Sequence, residues 1–406
     1  MRLRIKEICD YVSRGTTPDY VDEGANKVMN QATFSKGWID ESNIRYTSKA
    51  NKGARIMKGD LLMASTGGGV LGKVFFFDDD DSFYADSHVT IMRNSKGANL
   101  MKYLYYYFYL RYEEINATMV KGSTNQTELQ RNYLLSYELD VPTLADQQRM
   151  ITYLDTKLSE IDHQVSLLTS KRDAYLRLKK SIINHAVTRG LDPNVKMKDS
   201  GIEWIGEVPE HWEVKRMKDI CALSPNIKSC PEYEYGSYLP MEGLRLDQIE
   251  TSDELVSTLQ GKYTPFEDND LLVAKVTPCF ENGNIAIAKG LTNGVGFGSS
   301  EIFVLRANKY NNIRFLFYMS LSSKFHDKAC ATMCGVGGLK RISPLFMKTY
   351  IMAIPPSTEQ NAIATYLDDK CAKIDTIVSN LDKQISRYAD LKRSLIDEVI
   401  TGKRAV

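Results

Sequence analysis

The chain has 406 residues, 43% hydrophobic and 25% charged, which suits two or three domains of ordinary size and excludes a disordered, collagenous or disulfide-scaffold protein. Lysine and arginine number 52 against 51 acidic residues, so net charge makes no case for nucleic acid, anionic membrane or acidic ligand, and any basic surface must be local. The seven cysteines are an odd, scattered set without a paired C-x2-C arrangement near histidines, which reads as reduced thiols rather than disulfides or zinc ligands. Cys330 and Cys334 are close enough to share a helix face, but their spacing is a poor match to the usual ligand sets.

The opening MRLRIKEICD turns charged within two residues and lacks the apolar core of a signal peptide, so a cytoplasmic protein is expected. Runs such as ARIMKGDLLMAS and SHVTIMRN, punctuated by Gly, Asn and Asp turns, predict short strands. Between them, Gly67 to Lys73 (GGGVLGK) meets most of a phosphate-loop pattern, and Gly67, Gly69 and Gly72 meet a dinucleotide-binding spacing. Both fail on context. Val74 offers no hydroxyl for magnesium, and VFFFDDDD continues as strand where either motif needs a helix N-terminus. A glycine-rich turn is the better reading, and the run Asp78 to Asp81 reads as a solvated loop rather than a cation site. LMKYLYYYFYLRYEEI predicts a helix; its greasiest part, Tyr103 to Leu110, is far short of the roughly 18 apolar residues that a membrane helix needs, so no membrane association is expected.

From about Asp146 to Thr188 the chain predicts one long helix. Ile151, Leu154, Leu158, Ile161, Val165, Leu168, Arg172, Tyr175, Lys179, Ile182 and Ala186 alternate by three and four, the heptad spacing of a supercoiling seam. Pro142, Thr143 and Asp146 mark its start, and Gly190 with Pro193 its stop. At ~1.5 Å per residue it would be about 65 Å long, a rod able to separate two domains. The polar stretch from Gly190 to Trp212 reads as an extended linker anchored by Trp204 and Trp212.

The second half then repeats the first. Shifting by 213 positions sets Tyr137 on Tyr350, and the match runs without a gap to the C-terminus, with 19 of 57 positions identical. Upstream, RIKEIC answers RMKDIC, GDLLMA answers NDLLVA and KYLYY answers RFLFY, so IRFLFYMSLSSKF is the counterpart helix. A second seam follows through Ala364, Leu367, Cys371, Ile374, Val378, Leu381, Ile385, Tyr388, Lys392, Leu395 and Val399, opened by Pro355, Pro356, Ser357 and Gln360 and closed by Gly402. A single such helix would read as an ordinary coiled coil, homodimeric or intramolecular. Two equal helices in one chain, each following a globular domain, most simply pack antiparallel on each other, with Arg172, Lys179 and Lys392 interrupting the seam where polar groups fix register.

The expected fold is therefore α+β: a pseudo-two-fold tandem repeat of two globular mixed domains, joined by two long helices in an antiparallel coiled coil. The boundaries are residues 1–142, helix 143–190, linker 191–212, residues 213–355 and helix 356–406. The five histidines (His88, His163, His185, His211, His326) are too dispersed for a triad or zinc site, and His163 and His185 fall on the polar face of the long helix.

The linker VTRGLDPNVKMKDSGIEWIGEVPEHWEVKRMKDI, flanked by helices that open P-x4-Q-x4-T-Y-L-D, resembles the specificity subunit of a type I restriction-modification enzyme. The resemblance covers essentially the whole chain and rests on the combination of duplication, divergent domains, paired heptad helices and this linker. It implies a subunit without catalysis of its own, carrying two target recognition domains that each read half of a bipartite, asymmetric DNA sequence, with the helices as a ruler. It implies as partners double-stranded DNA, two methyltransferase subunits that use S-adenosylmethionine, and restriction subunits that use ATP and Mg2+; this subunit itself binds no cofactor or metal. Near-zero net charge implies weak binding alone, since phosphate contacts need cations. The rival reading is a coiled-coil adaptor holding two protein-binding domains, with no sequence-dependent DNA binding.

Loop donors suited to base edges or phosphates are the candidate DNA contacts. In the first domain these are Arg14, Thr16, Thr17, Ser65, Thr66, Lys73, Ser123, Thr124, Asn125 and Gln126; in the second, Lys275, Thr277, Asn282, Asn284, Lys340 and Arg341. Any one of them also reads as a plain turn residue. Lys171, Arg172, Lys179 and Lys180, with Lys383, Arg387, Lys392 and Arg393, read as spacer-phosphate contacts or as a solvated or partner-facing helix surface.

Overall fold

The computed structural model describes residues 1–49, 51–95, 97–121, 127–227, 230–336 and 338–406. The chain divides into two compact units, one made of Met1–Leu168 with Lys383–Val406 and the other of Thr169–Asp382. The two long helices, Leu144–Arg189 and Ser357–Ile400, therefore each give one half to each unit.

In the first unit a four-stranded antiparallel sheet has the order Tyr11–Arg14, Val89–Arg93, Leu61–Ala64, Val74–Phe76. In the second unit the same order recurs as Cys221–Leu223, Ile302–Ala307, Leu271–Ala274, Ile285–Ile287. The runs LLMA and LLVA occupy the inner strand in each, and every residue in them is buried, as expected for unbroken apolar runs covered on both faces. A second sheet accompanies each. Asn26–Met29 runs parallel to Phe83–Ala85 in the first unit, and Tyr235–Leu239 parallel to Val295–Gly298 in the second.

The residue before the LLMA and LLVA strands is a buried aspartate gripped by an arginine on the neighbouring strand. Arg93 meets both oxygens of Asp60 at 2.6 Å, and Arg306 both oxygens of Asp270 at 2.7 Å. Each carboxylate also accepts a backbone N–H, from Met57 and from Glu267. The predicted tyrosine-rich helix forms as Ala98–Leu110 and Tyr112–Thr118, and its counterpart as Ile313–Ser320 and Ser323–Ala331. The break in the second is set by Ser322, whose hydroxyl caps Phe325 N–H.

Two sequence expectations change. The stretch expected to be an extended linker is a hairpin, Met197–Asp199 against Glu207–Pro209, packed on the second unit. Trp212 is fully buried there, with its indole N–H on Glu359, and Trp204 lies 5.2 Å from the ring of Tyr350. Cys330 sits on the helix Ser323–Ala331 while Cys334 begins a strand, so they do not share a helix face. Among the described residues no helix is long and apolar enough to cross a membrane.

Candidate nucleic-acid interface

Three segments far apart in sequence meet at one point in each unit, through the same backbone bonds. In the first unit Ser65 N–H donates to the His88 carbonyl (2.8 Å) and its carbonyl accepts from Leu129 N–H (2.8 Å). In the second, Lys275 N–H donates to the Glu301 carbonyl (2.8 Å) and its carbonyl accepts from Ile342 N–H (2.9 Å). Isolated bridges Thr66 to Glu128 and Val276 to Arg341 complete the match. Each crossing thus joins the end of the inner strand, the turn before the next strand, and a short hairpin: Val120–Lys121 with Glu128–Leu129, or Cys334–Val336 with Leu339–Arg341.

The side chains placed there differ. In the first unit Thr66 Oγ1 is 2.6 Å from His88 Nδ1, and Arg14 donates through Nε to the Ser87 carbonyl (2.8 Å) and through Nη1 to Glu128. In the second, Arg341 grips Glu301 through Nε and Nη2 at 2.9–3.0 Å. Lys275 lies 4.8 Å over the Phe303 ring and donates to the Ser300 carbonyl at 2.6 Å. The bond from Arg341 holds the Glu301 carboxyl below the usual carboxylate range, while burial pushes the Lys275 ammonium down against the pull of Glu301.

The structure thus brings together Arg14, Thr66, Lys275 and Arg341 at equivalent crossings. Thr17, Asn282 and Lys340 are exposed nearby in sequence, and half-buried Thr16 bridges Asp86. Half-buried Lys73 donates to the Ser35 carbonyl at 3.1 Å, within the turn joining two strands that the glycines predicted. Three candidates are scaffold instead. Ser65 is fully buried, with its hydroxyl shared with Thr90 (2.5 Å). Thr277 is buried, donating to the Gly338 carbonyl and accepting from Lys340 N–H, and Asn284 is buried too. Burial takes all three off the surface that a ligand would meet. Ser123, Thr124, Asn125 and Gln126 lie outside the described residues. Sequence reasoning missed His88, Glu128 and Glu301; the 213-residue shift, which sets His88 on Glu301 and Glu128 on Arg341, was the signal that could have found them.

The helix pairing is also duplicated contact for contact. In the first unit Lys392 meets Asp162 at 2.8 Å; in the second, Lys179 meets Asp375 at 2.7 Å. These are the same pair under the 213-residue shift. Arg172 to Asp382 (3.5 Å), read with Lys179 to Asp375, gives the antiparallel sense, since the partner number falls as the residue number rises. Every seam position on both helices is buried or half-buried. The opening half of each long helix is tied to the unit it lies in through an aspartate: Asp155 accepts from Lys102 and Tyr106, and Asp368 from Arg314 and Tyr318, at 2.5–2.7 Å. The P-x4-Q opening has a local cause. Gln147 and Gln360 are buried and donate back to the carbonyls of Pro142 and Pro355, each at 2.9 Å, which ties the proline before each helix to its first turn. Lys171, Lys180, Lys383, Arg387 and Arg393 are exposed.

Residues 1–167 and 209–387 match the family model for the type I restriction modification DNA specificity domain. The specificity subunit of the type I restriction enzyme EcoEI from Escherichia coli is 28% identical over 198 residues, covering 48% of this chain and 33% of that relative. The chain thus spans about a third of that curated relative's length. A putative MjaX specificity subunit from Methanocaldococcus jannaschii is 22% identical over 415 residues, covering 98% of this chain and 92% of that one. A solved chain, described in terms of the complex assembly and conformational transition of the type I R-M system, shares the fold, with a TM-score of 0.69 over 98% of this chain and 97% of that chain at 13% identity. A duplicated scaffold with matched contacts, and a family model that covers both copies, place this chain in the type I restriction-modification DNA specificity family.

Proposed function

We propose that this chain is the DNA sequence-specificity subunit of a type I restriction-modification system, reading a bipartite, asymmetric target in double-stranded DNA. Residues 1–142 and 213–355 act as the two target recognition domains. The paired helices set the spacing between half-sites and offer the surface on which two methyltransferase subunits dock, and restriction subunits join that assembly. The observation that carries this reading is the crossing made by identical backbone bonds in both units but dressed with Thr66, His88 and Glu128 in one and Val276, Glu301 and Arg341 in the other. One scaffold dressed with two different sets of side chains, among them exposed His88 in one and exposed Arg341 in the other, suits unequal half-sites, since base edges are distinguished by donor and acceptor pattern.

The chain itself is non-catalytic in this reading and binds no cofactor. S-adenosylmethionine, ATP and Mg2+ serve the partner subunits, in the cytoplasm. Mapping adenine methylation across the host genome, with and without this gene, tests the proposal. A split motif with a fixed gap that disappears on deletion supports it. An unchanged methylome, together with sequence-independent and salt-insensitive DNA binding by the purified chain, would favour a protein-binding adaptor instead.

A further inference from the structure

The two crossings differ in how their arginines spend their donors. Arg14 divides its own between acceptors on two segments, the Ser87 carbonyl and the Glu128 carboxylate. Arg341 gives only its Nε and Nη2 side to Glu301, and among the described residues nothing takes the Nη1 and Nη2 end of the fork. That end is the edge that pairs bidentately with guanine O6 and N7. The side chain of Arg341 is 51% exposed and that of Glu301 29% exposed, so the carboxylate is the anchored partner and the guanidinium the presented one. Lys275, held on the Ser300 carbonyl, also acts on Glu301, so two cations share the single acid and the fork is not neutralised by its own surroundings.

We propose that Arg341, oriented by Glu301, selects guanine in the half-site read by the second unit. Glu301 is a positioning residue: its bidentate grip removes the freedom of a long side chain before DNA arrives, so less ordering is left to lose on binding. The first unit has Glu128 in place of Arg341 and His88 in place of Glu301, so it lacks this device, and the two half-sites are read by different chemistry. The inference rests on the DNA-specificity reading above.

The test is the methylation motif of the native host carrying wild-type, Arg341→Ala, Arg341→Lys or Glu301→Gln chains, with all other subunits untouched. In both Arg341 variants, preference for guanine at one position of one half-site falls by about 5- to 150-fold, the range for losing one bidentate base contact, while the other half-site and the gap stay as they were. A phosphate-only role would instead lower methylation overall while leaving base preference intact in Arg341→Ala, and that outcome would overturn the inference. Glu301→Gln weakens preference at the same position and no other. A wild-type motif with no guanine in either half, or one that both Arg341 variants reproduce, would overturn the assignment of Arg341 while leaving the recognition role standing. Absence of any motif that depends on the wild-type gene would instead remove the recognition reading itself.

Discussion

Replacing Arg93 by leucine should unfasten the first unit while leaving the second intact. The Asp60 side chain is 1% exposed, and both its oxygens are held by Arg93 at 2.6 Å. After Arg93→Leu the carboxylate keeps only the Met57 N–H at 2.7 Å. Stranding one partner of a buried ion pair costs about 3–5 kcal/mol, which corresponds to a roughly 150- to 5,000-fold rise in the opening constant that governs amide exchange. The amides of Leu61–Ala64 should lose protection on that scale, and those of Leu271–Ala274, beside the untouched Arg306 and Asp270 pair, should not. Burial already holds the Asp60 carboxyl above its ordinary range against the pull of Arg93. Without Arg93 it rises further, so the folded state keeps its proton to higher pH than the unfolded chain. Stability is then recovered as the pH falls through the raised folded value, and is fully recovered below the unfolded value of about 3.9. The defect is therefore largest at neutral pH and shrinks toward pH 4, and the double change Arg93→Leu with Asp60→Leu recovers most of it. A loss of protection below about tenfold, or one independent of pH, would refute the reasoning.

Each helix contributes a fully buried leucine to a different unit, Leu154 to the first and Leu367 to the second. Leu154→Ala and Leu367→Ala should each cost about 2–5 kcal/mol, read by amide exchange in the residue's own unit. Exchanging charges at the helix pair, Lys179→Asp with Asp375→Lys, should restore most of what either single change loses, and a single change should lose about 1 kcal/mol in urea unfolding, because the Asp375 end of the pair is open to solvent. Gly15→Ala would bring a Cβ within 2.2 Å of the carbonyl oxygens of Ala85 and Asp86, so the strand must shift, and thermal melting should show a loss of at least about 1–3 kcal/mol. Burial pushes the Cys9 and Cys221 thiols up to about 12, while Cys334 is exposed. Alkylation of the native chain at pH 8 should therefore modify Cys334 and spare Cys9 and Cys221 until denaturant is added, as mass spectrometry of the peptides would show.

The helix seam was legible because a heptad pattern is local: its phase alone says which side of Leu144–Arg189 and Ser357–Ile400 must be covered. The repeat told more, since a shift of 213 residues that aligns Asp162 with Asp375 and Lys179 with Lys392 encodes two copies of one contact before any coordinate is known. The hairpin at Met197–Asp199 was not legible, because its strands are short and polar and carry no period-2 apolar signal. Nor could loop composition tell Ser65 and Thr277 from Thr66 and Arg341. All are polar residues beside turns, and which of them faces the core depends on one-residue register against strands more than 20 positions away.

By itself, then, the amino-acid order determined the duplication, the paired helices, the α+β class and the family resemblance, all of which rest on periodicity and spacing along the chain. Only the tertiary structure decided which donors meet at each crossing. Those meetings depend on long-range strand pairing and burial, so the partnership of Arg341 with Glu301 exists only once three distant segments have been brought to one point.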